Sequence, residues 1–215
     1  MNELATQTIY FAQPGAANTG RTLELAHARA QALGLRTILV ATTSGETAVR
    51  AAQQFQGREA NTPAGGTHSA STANGFAVIA ITHSTGFQAP DHQELPPQNR
   101  AAIEAAGGRI LTCQHALGGV NRAVRKKLGT YQLDEIIAYT LRLFGQGIKV
   151  VAEIALMAAD AGLVRTDVPL MAIAGSGRGA DTAAVLLPTN AQTFFDLQIL
   201  EIVCRPSPAH PAFAG

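Results

Sequence analysis

Four short apolar runs, "TIYFA", "TILVA", "FAVIAIT" and "RILTC", punctuate the first half of a 215-residue chain, and segments of helical period separate them. Each run is rich in β-branched or aromatic residues and ends in a polar or glycine-containing loop, the pattern of a buried strand. Between the first two, Leu23, Ala26, Ala30 and Leu33 share one helical face. Asn18 or Thr19 is placed to cap that helix, and Gly34 to end it. "TTSGETAVRAAQQF" passes from a loop into a second helix, and "PPQNRAAIEAAGG" gives a third, with proline at its start and glycine at its end. Strands alternating with helices imply a parallel sheet covered on both faces. Ligands of such sheets bind beyond the carboxyl ends of the strands, so the loops at Pro14, Thr42, His83 and His115 are expected to open on one side.

The second half departs from strict alternation. A helical pattern runs from Leu133 to Gly162, and Gly145 and Gly147 are expected to divide it into two helices. "VPLMAIAG" follows as a fifth strand. "AAVLLPT" and "QILEIVCR" supply two more, at least one antiparallel, because no crossover helix separates them. Residues 56–75, "QGREANTPAGGTHSASTANG", are small, polar and without period, and read as a flexible insertion. The organisation expected is one α/β domain over residues 1–205, followed by a mobile tail at 206–215.

Composition narrows the function. Hydrophobic residues are 47% of the chain, charged residues 14%, and the formal net charge is +1. This disfavours both a disordered chain and an electrostatic nucleic-acid binder. The clustered bases Arg122, Arg125, Lys126 and Lys127 read as one solvated helix edge. No run approaches the ~18 apolar residues of a membrane span, and the N-terminus lacks a basic segment leading into an apolar one, so a soluble cytoplasmic protein with no membrane partner is expected. Cys113 and Cys204 lie in apolar runs with no paired spacing, which suits buried small hydrophobes better than a disulfide or zinc site.

Two loops carry the chemistry. In "ATTSGETAV" a strand ends at Ala41 and a helix begins near Glu46. Unpaired N–H groups at a helix start, with hydroxyls from Thr42, Thr43, Ser44 and Thr47 around Gly45, suit a phosphate. The plainer alternative has Ser44 capping the helix. In "GSGRGADT", Gly175, Gly177 and Gly179 are spaced wrongly for a dinucleotide fingerprint, which needs Gly-x-Gly-x-x-Gly opening a helix. The loop still offers backbone donors and the Arg178 guanidinium, with Asp181 available to hold Arg178 or to turn the chain. His83 and His115 each follow a strand and can polarise a carbonyl or hydrogen-bond a ring edge, while Phe87 can stack on a planar ligand. No Asp, Glu or Cys set accompanies them at metal spacing, and no nucleophile elbow is present.

Taken together, "YFAQPGAANT", "TTSGETA", "ITHSTGF", "LRLFGQGIKVVAEIALMAADAG" and "AGSGRGADTA" resemble the stand-alone proteins similar to the C-terminal α/β domain of pyruvate kinase, over about residues 8–205. The resemblance implies a three-layer αβα sandwich with a mostly parallel mixed sheet whose last strand is antiparallel. It implies that "TTSGET" corresponds to a loop gripping an effector phosphate and "GSGRGADT" to the loop closing over it. The chain has no room for the (β/α)8 barrel that transfers the phosphoryl group, so no pyruvate kinase activity is expected. The ligand implied is flavin mononucleotide, held by Asn18, Thr42, Thr43, Ser44, Gly45, Thr47, Gly175, Gly177 and Arg178, with His83, Phe87 and His115 at the ring. No catalytic residue is assigned. The alternatives are a flavin-dependent oxidoreductase and a regulatory or assembly protein with a vestigial effector site, and homo-oligomer formation is left open.

Overall fold

The computed structural model describes residues 3–56 and 75–213. The expected insertion at 56–75 therefore falls almost wholly outside the described residues. Among the described residues seven strands form one sheet: β1 (Ile9–Phe11), β2 (Thr37–Ala41), β3 (Ala77–Thr82), β4 (Arg109–Thr112), β5 (Leu170–Ala174), β6 (Thr182–Leu187) and β7 (Gln198–Pro206). Their order is β1-β7-β6-β5-β2-β3-β4. β5, β2, β3 and β4 pair in parallel, as do β1 and β7. β6 pairs antiparallel with both β5 and β7. The reversed strand is therefore β6. The last strand of the chain, β7, reverses again and so runs with the majority, which differs from the expectation of an antiparallel final strand. The reason is local: the short 175–181 loop turns β5 straight back into β6, and the 188–197 connection, with one 3-10 segment at Ala191–Asp196, turns β6 back into β7.

Among the described residues there are six α-helices: α1 (Thr19–Ala32), α2 (Glu46–Phe55), α3 (Pro97–Ala105), α4 (Val120–Leu128), α5 (Leu133–Arg142) and α6 (Gln146–Asp160), of which α1, α2, α3 and α6 pack on the sheet, α5 on α6 and α4 on α5. Side chains alternate across the strands, so Ile38, Val40, Val78, Ala80, Met171 and Ile173 pack under α1, α2 and α3. Leu39, Ile79, Ile81, Leu170, Ala172 and Ala174 pack under α6. The result is a three-layer αβα sandwich. The long helical pattern divides at Gly145, whose φ of 117° no ordinary residue adopts, and Gly147 sits against Thr182 where a Cβ would not fit. α6 is apolar almost all round, and 12 of its 15 residues are buried between the sheet and α5.

At the tail, the Ser207 N–H donates to the Phe11 carbonyl at 2.9 Å, and the His210 ring stacks on Tyr10. No described helix is long and apolar enough to cross a membrane.

Candidate binding cleft

The parallel strands β5, β2, β3 and β4 all end on one side, and there the loops enclose a cleft of about 980 Å³. That volume suits a nucleotide-sized ligand. Of the twelve residues expected at a site, ten line it: Thr42, Thr43, Ser44, Thr47, His83, Phe87, His115, Gly175, Gly177 and Arg178. Asn18 and Gly45 do not. The Asn18 amide turns back to donate to the Gln13 carbonyl at 2.7 Å and makes no cap to α1. Gly45 is a backbone element of the loop: its φ is 90°, and a Cβ there would lie 2.5 Å from Leu95 Cδ1 and 2.8 Å from Asn99 Cβ.

The first loop is held from below. Gly45 is the N-cap of α2, no side chain caps that helix, and Ser44 is thus not its cap. The Gly45 N–H instead donates to Thr42 Oγ1 at 3.1 Å, and Asn99 Nδ2 from α3 donates to the Ser44 carbonyl at 2.7 Å. With Gly45 supplying the left-handed turn, the chain enters α2 with its first N–H groups uncapped by side chains, an arrangement that favours an anion.

The glycines of the second loop separate into two kinds. A Cβ on Gly175 would strike the Gly179 carbonyl, and one on Gly179 would strike Thr19 Oγ1 and lie 2.6 Å from Ala16 Cα, so both are required by close backbone packing. Gly177 has nothing within 4 Å and faces the cleft with Arg178. The loop is sewn to the start of α1. The Ala180 N–H donates to Thr19 Oγ1 at 3.0 Å, and Thr22 Oγ1 donates to the Ala180 carbonyl at 3.3 Å. Asp181 is fully buried and does not hold Arg178; it accepts from the Gly15 N–H at 2.9 Å, the Ser176 N–H at 3.2 Å and Thr182 Oγ1 at 2.9 Å.

Across the cleft lies an aromatic group. The Phe87 ring is 4.1 Å from His83 and 4.9 Å from His115, and the Arg122 guanidinium lies 4.9 Å over its face. His83 Nδ1 pairs with Glu94 Oε2 at 2.7 Å. Burial drives the His115 pKa down to about 4, with His83, Lys149 and Arg122 adding to the effect and Glu153 opposing it, so the ring is neutral at pH 7.

Several lining residues escape the sequence reading. α6 contributes Lys149 and Glu153, an ion pair with both side chains 5% exposed and Nζ 2.5 Å from Oε2. Glu153 Oε1 also accepts the Leu117 N–H at 3.0 Å. Burial lowers the Lys149 pKa, and Glu153 opposes that fall. Arg122 leaves the solvated edge expected of its basic cluster and turns into the cleft, where Arg50 and Arg142 join it. The signal available was α6 itself: a helix apolar on every face must be buried, and its charges with it.

No protein-family model matches the chain. Among solved structures, the chain is similar to a mutant O-ureido-L-serine synthase bound to O-ureido-L-serine, at 17% identity and a TM-score of 0.27. The match covers 75% of this chain and 50% of that one, so this chain spans about half the length of the structure it matches.

Proposed function

We propose that the cleft binds a phosphate-bearing small molecule, and we assign flavin mononucleotide as that ligand. The observation that carries the reading is an imbalance of charge. Arg50, Arg122, Arg142 and Arg178 line the cleft, and none forms an ion pair among the described residues. Of the three lining carboxylates, Glu153 is paired with Lys149 and Glu94 is hydrogen-bonded to His83, so Glu46 and Glu94 stand against four guanidiniums. A concave site with unpaired guanidiniums attracts an anion, and guanidinium geometry suits phosphate oxygens.

The parts of flavin mononucleotide match the parts of the cleft in kind. Its phosphate suits the first turn of α2 with Gly177 and Arg178 opposite, and its planar ring suits the surface formed by His83, Phe87 and His115. The resemblance of both loops to the effector loops of the pyruvate kinase C-terminal domain supports the same ligand class. In this reading the protein binds without transferring a phosphoryl group.

Titration of flavin mononucleotide and riboflavin, followed by flavin fluorescence, tests the reading. One charge-assisted phosphate contact stabilises by about 1.5–3 kcal/mol, so flavin mononucleotide should bind at least ~10-fold more tightly than riboflavin. Arg178→Ala and Ser44→Ala should each narrow that gap. Equal affinity for both ligands would sink the phosphate reading.

A further inference from the structure

α5 presents its apolar stripe to water. Leu133, Ile136, Tyr139 and Leu143 are each more than half exposed, while Glu135 and Ala138 are the buried residues of the helix. A surface helix ordinarily does the reverse. Leu133, Ile136, Thr140 and Leu143 recur at intervals of three, four and three, which is the seam of a helix that packs lengthwise against another. Tyr131, Ile136, Tyr139, Thr140 and Leu143 line a shallow depression of about 500 Å³ on this face. Exposed Leu128 at the end of α4 lies three residues before Tyr131.

We propose that this face is the interface of a homodimer, in which α5 packs against α5 of a second copy across a two-fold axis. Three features favour a second copy as the occupant. The six apolar residues expose on the order of 100 Å² each, together most of the ~800 Å² that one partner contributes to a standard interface. Such a patch exceeds what a monomer ordinarily leaves uncovered. The seam is also self-complementary: an isologous contact lets each leucine or isoleucine meet the same stripe on the partner, with the threonine near the middle.

Finally, Arg125 at the border of the face is already ion-paired with Glu135 within one copy, so a second copy does not meet that charge bare. Arg125 pairs with Glu135 at 2.6 Å and lies over Tyr131, and Arg142 lies over Tyr139 while donating to Gln146 Oε1 at 2.6 Å. Arg142 also lines the cleft, so the interface would steady one wall of it.

Sedimentation equilibrium of the full chain tests this. The expected mass is that of two 22.3 kDa chains, falling to one on dilution. Leu143→Glu places an unpaired carboxylate in the seam and should loosen the dimer at least ~100-fold, with the far-UV circular dichroism unchanged because this side chain is exposed in one copy. Thr140→Leu completes the apolar seam and should tighten the dimer several-fold, which a folding defect cannot mimic. A wild-type monomer at about 200 µM would overturn the proposal and leave the face to a different partner, since an interface this size should associate well below that concentration. A dimer whose dissociation constant moves in neither variant would overturn it as well.

Discussion

The buried Asp181 carboxylate accepts the Gly15 N–H at 2.9 Å and so joins positions 166 apart in sequence. Through its second contact, to the Ser176 N–H, it fixes the β5–β6 loop against the loop that precedes α1. A carboxylate suits the position because three donors converge on it and no buried acceptor need be left over.

Asp181→Ala should strand the buried Thr182 donor and release the part-buried Gly15 and Ser176 amides, and destabilise by about 3–5 kcal/mol. Asp181→Asn keeps the shape but replaces one acceptor oxygen with a donor, and should cost roughly 1–3 kcal/mol. Urea unfolding of the three proteins checks the order. An Asn variant as stable as wild type would show that the two amides do not depend on the carboxylate.

Gly45 and Gly34 offer a controlled pair, since both have positive φ, 90° and 65°. A Cβ at Gly34 meets nothing within 4 Å, so Gly34→Ala should cost only the left-handed conformational penalty of about 1 kcal/mol. At Gly45 the same Cβ also drives into Leu95 and Asn99, and Gly45→Ala should cost about 2–4 kcal/mol and displace the 42–45 loop. Denaturation midpoints separate the two costs, and equal midpoints would refute the steric argument.

These glycines show how far the sequence could be read. The spacing of Gly175, Gly177 and Gly179 was enough to reject a dinucleotide turn, yet it could not distinguish Gly177, open to the cleft, from Gly175, packed against the Gly179 carbonyl, and Gly179, on which Thr19 and Ala16 press from about 160 residues away. Local signals announced the strands, the division at Gly145 and the loops beyond Ala41 and Ala174, because strand period and turn chemistry act over a few residues. Asn18 looked like a cap on local grounds, and lost that role because its amide found the Gln13 carbonyl instead. Lys149 and Glu153 were missed for the opposite reason, although the apolar character of α6 on every face was a signal of their burial. At an i,i+4 spacing they resemble an exposed helix pair, and only packing of α6 against both the sheet and α5 makes them buried.

That burial makes the pair a sharp test. Removing one partner leaves a charge or a donor in the interior, so Glu153→Leu and Lys149→Met should each destabilise by about 3–5 kcal/mol. The double variant Lys149→Met with Glu153→Leu removes both charges and should recover a large part of that loss, although the Leu117 N–H then lacks its acceptor. A double-mutant cycle in urea gives the coupling directly. Strictly additive losses would mean that the ion pair contributes no coupling to the folded state.

His115 supplies a pH dependence whose sign follows from its surroundings. Its folded pKa is about 4 against an ordinary value of 6.5, with burial as the main cause. Between those values the unfolded chain binds a proton that the folded protein refuses, so stability rises with pH through this window and is complete above it. His115→Phe removes the titration and keeps a ring against Phe87, which His115 now meets at 4.9 Å and an interplanar angle of 28°. Wild type should therefore lose stability on acidification from about pH 6.5 to 4 more steeply than the variant. Urea midpoints at half-unit pH steps measure both slopes, and the His115 ring proton shifts in NMR should stay constant down to about pH 5. Parallel slopes, or a ring titrating near 6.5, would show that the cleft leaves His115 as exposed to protons as a loop histidine.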